Sequence, residues 1–111
     1  MSSIKNSVQL IGNLGKDPEI MTTENGKKLA KFSIATNETY SSKSGEKVTD
    51  TQWHNVVAWG KTADIIEKYV SKGKEVGVRG KLTHRNYETK EGEKRYVTEV
   101  LCEEVLLLGA K

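Results

Sequence analysis

Apolar and polar residues alternate along most of this chain, and the period changes once. Val8, Leu10 and Ile11 open a first strand. Gly12 and Gly15 within it predict a bulge or sharp bend, and Pro18 ends it. Asn25-Gly26 is a turn signal, after which Ala30, Phe32 and Ile34 alternate with Lys31 and Ser33 as a second strand. Residues 37–50 are polar, contain Ser44-Gly45, and predict a mobile loop. A third strand follows at Thr51-Gln52-Trp53-His54-Asn55-Val56-Val57-Ala58-Trp59.

The period then becomes helical. Ile65, Ile66, Tyr69 and Val70 share one stripe, with Thr62 as the expected N-cap, Asp64 in the first turn and Gly73 as the stop. Val76 and Val78 start a fourth strand that runs towards Tyr87, Glu91-Gly92 marks a hairpin tip, and a fifth strand covers Tyr96 to about Leu108. The order is β-β-β-α-β-β. A five-stranded all-β chain with one short helix between strands 3 and 4 predicts an OB-fold, a partly open Greek-key barrel.

The third strand carries the chain's most unusual pattern. Side chains alternate faces along a strand, so Trp53, Asn55, Val57 and Trp59 share one face and His54, Val56 and Ala58 the other. At ~3.3 Å per residue the two indoles stand about 20 Å apart. Two readings are open at this point. The rings are platforms for successive nucleobases, or they are half-buried packing residues with their N–H groups at the rim.

Composition narrows the class. A chain of 111 residues is expected to form a single domain over residues 1–111, large enough for a core without metal or disulfides. The one cysteine, Cys102, lies in an apolar run and is expected to be a buried small hydrophobe. A lone Cys, no apolar leader after Met1-Ser2-Ser3 and no membrane-length apolar run predict a cytoplasmic protein. The net charge is only +3, but residues 72–95 hold eight Lys and Arg against four Glu. That excess suggests a face for a polyanion, with a merely solvated hairpin as the alternative.

Enzyme chemistry finds little support. There is no phosphate-binding glycine loop and no nucleophile motif. Asp64 and Glu67 read as solvated helix charges, and His54 and His84 have no metal-ligand spacing. No catalysis, cofactor or metal is expected.

Longer motifs point to one family. Leu10-Ile11-Gly12-Asn13-Leu14-Gly15-Lys16-Asp17-Pro18-Glu19, Phe32-Ser33-Ile34-Ala35-Thr36-Asn37-Glu38, Gln52-Trp53-His54-Asn55-Val56-Val57-Ala58-Trp59-Gly60-Lys61 and Lys94-Arg95-Tyr96-Val97-Thr98-Glu99-Val100 occur in this order. Together they resemble the bacterial single-stranded DNA-binding protein (SSB) family over nearly the whole chain. The resemblance implies sequence-independent binding of single-stranded DNA in replication, repair and recombination. It places base stacking on Tyr40, Trp53, Trp59 and Tyr87, and phosphate contacts on Lys43, Lys61, Lys72, Arg85 and Arg95. It also implies a homotetramer in the cytoplasm, associated with the nucleoid, with His54 at a subunit contact. Members often carry a basic residue where this chain has Ser7, Asn55, Ser71 and Asn86.

Phe32, Tyr69 and Tyr96 are expected to be structural. Many members continue into an acidic tip that recruits other proteins. This sequence stops at Leu108-Gly109-Ala110-Lys111, without an acidic tail, so tail-mediated recruitment is not assigned. An RNA-binding OB module and a primosome-type OB dimer are the competing readings.

Overall fold

A computed structural model of the chain describes residues 4–108. Met1-Ser2-Ser3, on which the expected lack of a leader rests in part, and Gly109-Ala110-Lys111 lie outside the described residues. The elements are β1 (Val8–Leu14), β2 (Glu19–Thr22), β3 (Lys28–Ser41), β4 (Lys47–Trp59), α1 (Gly60–Tyr69), β5 (Glu75–Glu88) and β6 (Lys94–Leu107).

Alternation builds the barrel wall. Ala30, Phe32 and Ile34 of β3, Val56 and Ala58 of β4, Val76 and Val78 of β5, and Val100 and Cys102 of β6 all bury their side chains in one cluster. Burying each large aliphatic or aromatic side chain contributes about 1.5–3 kcal/mol. Helix α1 plugs this core with Ala63 and Ile66, and Val70 follows at its C-cap. The strands close in the order β1-β5-β6-β4-β3, with β3 returning to β1 at Asn13↔Ala35 and Leu14↔Ile34. The β4–β6 seam is parallel, at Val56↔Val100 and Val57↔Leu101; the other pairings are antiparallel. This is the five-stranded OB-fold barrel predicted from the alternation, with its helix between the third and fourth barrel strands.

Gly12 makes the closure possible. A Cβ there would fall on the carbonyl oxygen of Ala35, where β1 crosses β3. The glycine therefore marks a close backbone approach.

Several local expectations are corrected. Residues 37–50 are no loop: β3 and β4 continue pairing out to Ser41↔Lys47, around a turn with Gly45 at φ +85°. Thr39, Tyr40, Val48, Thr49 and Thr51 favour strands. Both faces of this arm meet solvent, so the hydrophobic alternation that announces a strand is missing. The short β2 pairs with β3 across the Asn25-Gly26 turn. Four residues are too few to show a period, so β2 went unseen.

The helix starts earlier than expected. Its N-cap is Trp59, in extended conformation and without a side-chain cap bond, so Thr62 is inside the first turn. Its C-cap is Val70, and Gly73 instead donates to the carbonyl of Leu14 in the turn before β5. Finally, Tyr69 is 55% exposed and Tyr96 76% exposed, so neither is a packing residue. The helix stripe that reaches the core is narrower than the sequence period suggests, and Tyr96 stands on an arm that projects beyond the barrel.

Asp64 and Glu67 are more than solvated charges. Both grip Lys28 of β3, at 2.9 and 2.5 Å. The hydrogen bonds to Glu67 and Asp64 hold the Lys28 ammonium above its usual pKa, and the bond to Lys28 holds Asp64 below the usual carboxylate range. The three groups pin α1 across the end of the barrel.

Candidate nucleic-acid interface

The odd-numbered side chains of β4 point away from the core. The ladder sets Trp53 beside Ala35, Asn55 beside Ser33, Val57 beside Lys31 and Trp59 beside Leu29. Trp53 is 60% exposed and Trp59 42% exposed. Val57 between them is buried, because this face is the floor of a groove rather than an open sheet. One hollow in the groove is lined by Lys16, Asp17, Lys31, Ser33, Asn55 and Glu99. The next is lined by Lys31, Val57, Trp59, Thr83, Arg85 and Glu99.

Gly15 seats the first indole. A Cβ built on it would lie 2.7 Å from both Cη2 and Cζ3 of Trp53. The six-membered ring therefore rests against bare backbone at the end of β1. Gly15, predicted at a bend, has this second use.

Two hairpin arms flank the groove. The β3–β4 arm carries Tyr40 near its tip and Lys43 in its turn. Tyr40 pairs with Val48, which puts it on the even-numbered face with Gln52 and His54, opposite the Trp53 face. The β5–β6 arm carries Arg85 and Tyr87 on one face, across from Val97 and Arg95. Lys61 borders a hollow beside Trp59 together with Lys27 and Lys28. The backbone N–H of Lys72 donates to Asp17 at 2.8 Å, which brings it to the Lys16–Asp17 rim of the groove.

Thus Trp53, Trp59 and Arg85 share the groove. Tyr87, Arg95, Lys61 and Lys72 stand around it, and Tyr40 and Lys43 sit further out on an arm. The cations differ in their freedom. Lys31, Lys43, Lys61 and Lys72 make no ion pair among the described residues. Arg95 is paired with Glu93 at 2.8 Å in solvent. Arg85 is held by Glu99 through Nε and a terminal nitrogen, which raises its pKa.

Lys16, Lys31 and Glu99 are groove residues that sequence reasoning missed. Alternation on β3 placed Lys31 outside. Only the cross-strand register places it between the two indoles.

His54 is half-buried, and its Nε2 lies 2.9 Å from the Thr36 hydroxyl. It is thus a hydrogen-bonded residue on the even face. Cys102 is buried, as expected, and burial pushes its thiol up to about 11.

Residues 5–108 match the pattern of the single-strand binding protein family. The chain belongs to that family. Among its relatives, a single-stranded DNA-binding protein 1 of Chlorobaculum tepidum is 44% identical over 107 residues, which is 96% of this chain and 66% of that protein. A single-stranded DNA-binding protein 1 of Xylella fastidiosa is 43% identical, over 96% of this chain and 79% of its own length. For a single-stranded DNA-binding protein of Neisseria meningitidis the identity is 38%, over 96% of this chain and 61% of that protein. This member therefore spans roughly two thirds of the length of such relatives.

A solved structure of the Plasmodium falciparum SSB in complex with single-stranded DNA superposes with a TM-score of 0.86. It is 32% identical and covers 98% of both chains. A deletion mutant of the single-stranded DNA-binding protein from Thermus aquaticus gives a TM-score of 0.82 at 25% identity, over 96% of this chain and 51% of that one. Among the described residues no helix is long and apolar enough to cross a membrane.

Proposed function

We propose that this family member coats single-stranded DNA in the cytoplasm during replication, repair and recombination, without catalysis. The strand lies along the odd-numbered face of β4, between the two arms. Bases stack on Trp53, Trp59 and Tyr87, and on Tyr40 where the strand passes over the edge of the β3–β4 arm. Lys43, Lys61, Lys72, Arg85 and Arg95 take phosphates, joined by Lys16 and Lys31. Neither kind of contact reads sequence: stacking tolerates any base and contributes about 1–3 kcal/mol each, while phosphate neutralisation gains affinity by releasing counterions.

The observation that carries this reading is the pair of exposed indoles on one strand face, with lysines between and beside them. The relatives named for single-stranded DNA binding, and the DNA complex among the structural neighbours, support it. A role in replication, repair or recombination follows from what such coating does, because binding competes with base pairing and keeps the strand open. Self-assembly into a homotetramer, with His54 at a subunit contact, belongs to the same reading and rests on family membership.

The test is optical. Oligo-dT added to the protein is expected to quench tryptophan emission strongly, and Trp53→Ala and Trp59→Ala each to weaken binding by about 1–3 kcal/mol while leaving the melting temperature within a few degrees. Preference for oligo-dT over oligo-U separates this from an RNA-binding module. If ligand leaves the emission unchanged and both variants melt the fold, the rings are packing residues and the proposal fails.

A further inference from the structure

We propose that Glu99 is a competing anion built into the floor of the DNA groove: it holds Arg85 in an internal ion pair that a DNA phosphate must displace. The inference rests on the single-stranded DNA reading above and concerns how that same groove sets its affinity.

An anion-binding groove has no electrostatic use for a carboxylate in its floor; Asp17 and Glu19 line only the first hollow, whereas Glu99 lines both hollows between Asn55 and Trp59. Its side chain is only 11% exposed, while that of Arg85 is 50% exposed. Glu99 is thus fixed in the floor, and its backbone carbonyl accepts from the Thr83 hydroxyl. Arg85 is the partner with room to leave.

The pair is built to compete with a phosphate. Carboxylate Oε1 accepts from Arg85 Nε at 3.0 Å, and Oε2 accepts from a terminal nitrogen at 3.4 Å. Arginine meets phosphate with the same two-pronged fork. A DNA phosphate therefore has to take the guanidinium from Glu99, or share it through the remaining N–H groups while lying close to a second anion. Either way, Arg85 returns less than one full phosphate contact. Lys31 lines both hollows as well and stays behind as a cation in the same groove when Arg85 swings out. The consequence is a groove that holds a strand below the strength its cations allow, so that the strand can be handed on.

The salt dependence of binding reads this directly. For single strands each phosphate contact adds a slope of about 0.7 in log K against log[salt]. Titrations of oligo-dT over a range of sodium chloride would compare wild type, Glu99→Gln, Arg85→Ala and the double variant, with circular dichroism melts and sedimentation as controls. Glu99→Gln keeps the shape of the side chain and removes its charge. It is expected to bind about three- to ten-fold tighter at low salt, with the slope steeper by up to about 0.7. Arg85→Ala should lower the slope by much less in wild type than in the Glu99→Gln background.

Equal or weaker binding by a well-folded Glu99→Gln protein of unchanged mass overturns the proposal. Should Glu99→Gln not fold, Arg85→Ala decides alone. A loss of the full slope of about 0.7 shows that Arg85 already serves a phosphate unopposed, and no change at all shows that it never meets one; either refutes the competition, whereas a partial loss supports it. Wild type that fails to bind oligo-dT at all refutes the underlying reading, and this one falls with it.

Discussion

Gly15→Ala is the smallest change that tests the groove. The added Cβ would stand 2.7 Å from the two outermost carbons of the Trp53 ring. Carbon atoms in good contact sit at about 3.5–4.0 Å, so the ring must retreat by roughly 1 Å. It has space to do so, because Trp53 is mostly exposed and the clash is with the far end of a movable side chain. Fold stability should therefore change by less than about 1 kcal/mol, within the range of ordinary surface substitutions. Binding is different, because a base must find the ring where the groove presents it. Losing part of a stacking contribution of about 1–3 kcal/mol predicts a loss near 1 kcal/mol, roughly five-fold in Kd. The assay is an oligo-dT titration at fixed salt alongside a urea melt. The Trp53→Ala background should remove the effect, since Gly15→Ala then meets no ring. Five-fold weaker binding that persists without Trp53 would refute the idea that Gly15 acts as the seat of that indole.

Three further outcomes follow from the same geometry. Phe32→Ala removes a buried ring from the barrel and should cost about 3–5 kcal/mol of stability in a urea melt; a cost below 1 kcal/mol would mean the core collapses around the gap. His54→Tyr puts a larger ring where His54 already bonds Thr36, so sedimentation at submicromolar concentration should show smaller species than wild type; unchanged mass would remove His54 from the proposed subunit contact. Cys102 has its thiol pKa raised to about 11 by burial, so at pH 8 its thiolate is scarce and iodoacetamide should label it only after unfolding; rapid labelling of the folded protein would contradict that burial.

The barrel was legible because its wall is half apolar. Ala30, Phe32, Ile34, Val76, Val78 and Val100 alternate with polar neighbours, and each is buried in the core. The arms were harder, since residues such as Thr39, Thr49 and Asp50 meet solvent on both faces and leave no periodic trace. The face shared by Trp53 and Trp59 follows from strand parity alone. What stands across from that face does not. Lys31, Arg85 and Glu99 come from three strands, and their meeting depends on a register that includes a shift between Arg79 and Gly80. A one-residue difference in that shift would turn Arg85 to the opposite side. Tyr40 shows the same limit in reverse, since family position groups it with Trp53 and parity along the arm separates them.

The barrel closure at Gly12 also sets a schedule for the growing chain. Strand β1 leaves the ribosome ahead of the other strands of the barrel, and its long ladder is with β5, where Val8 meets Gly80 and Leu10 meets Val78. At about 5–20 residues per second, β1 waits several seconds before its partner is even synthesised. During that time the edge of β1 that β5 will cover is open to any neighbouring chain. Early polysome crowding, rather than loss of finished protein, is then where a slow codon between β4 and β5 would do its damage.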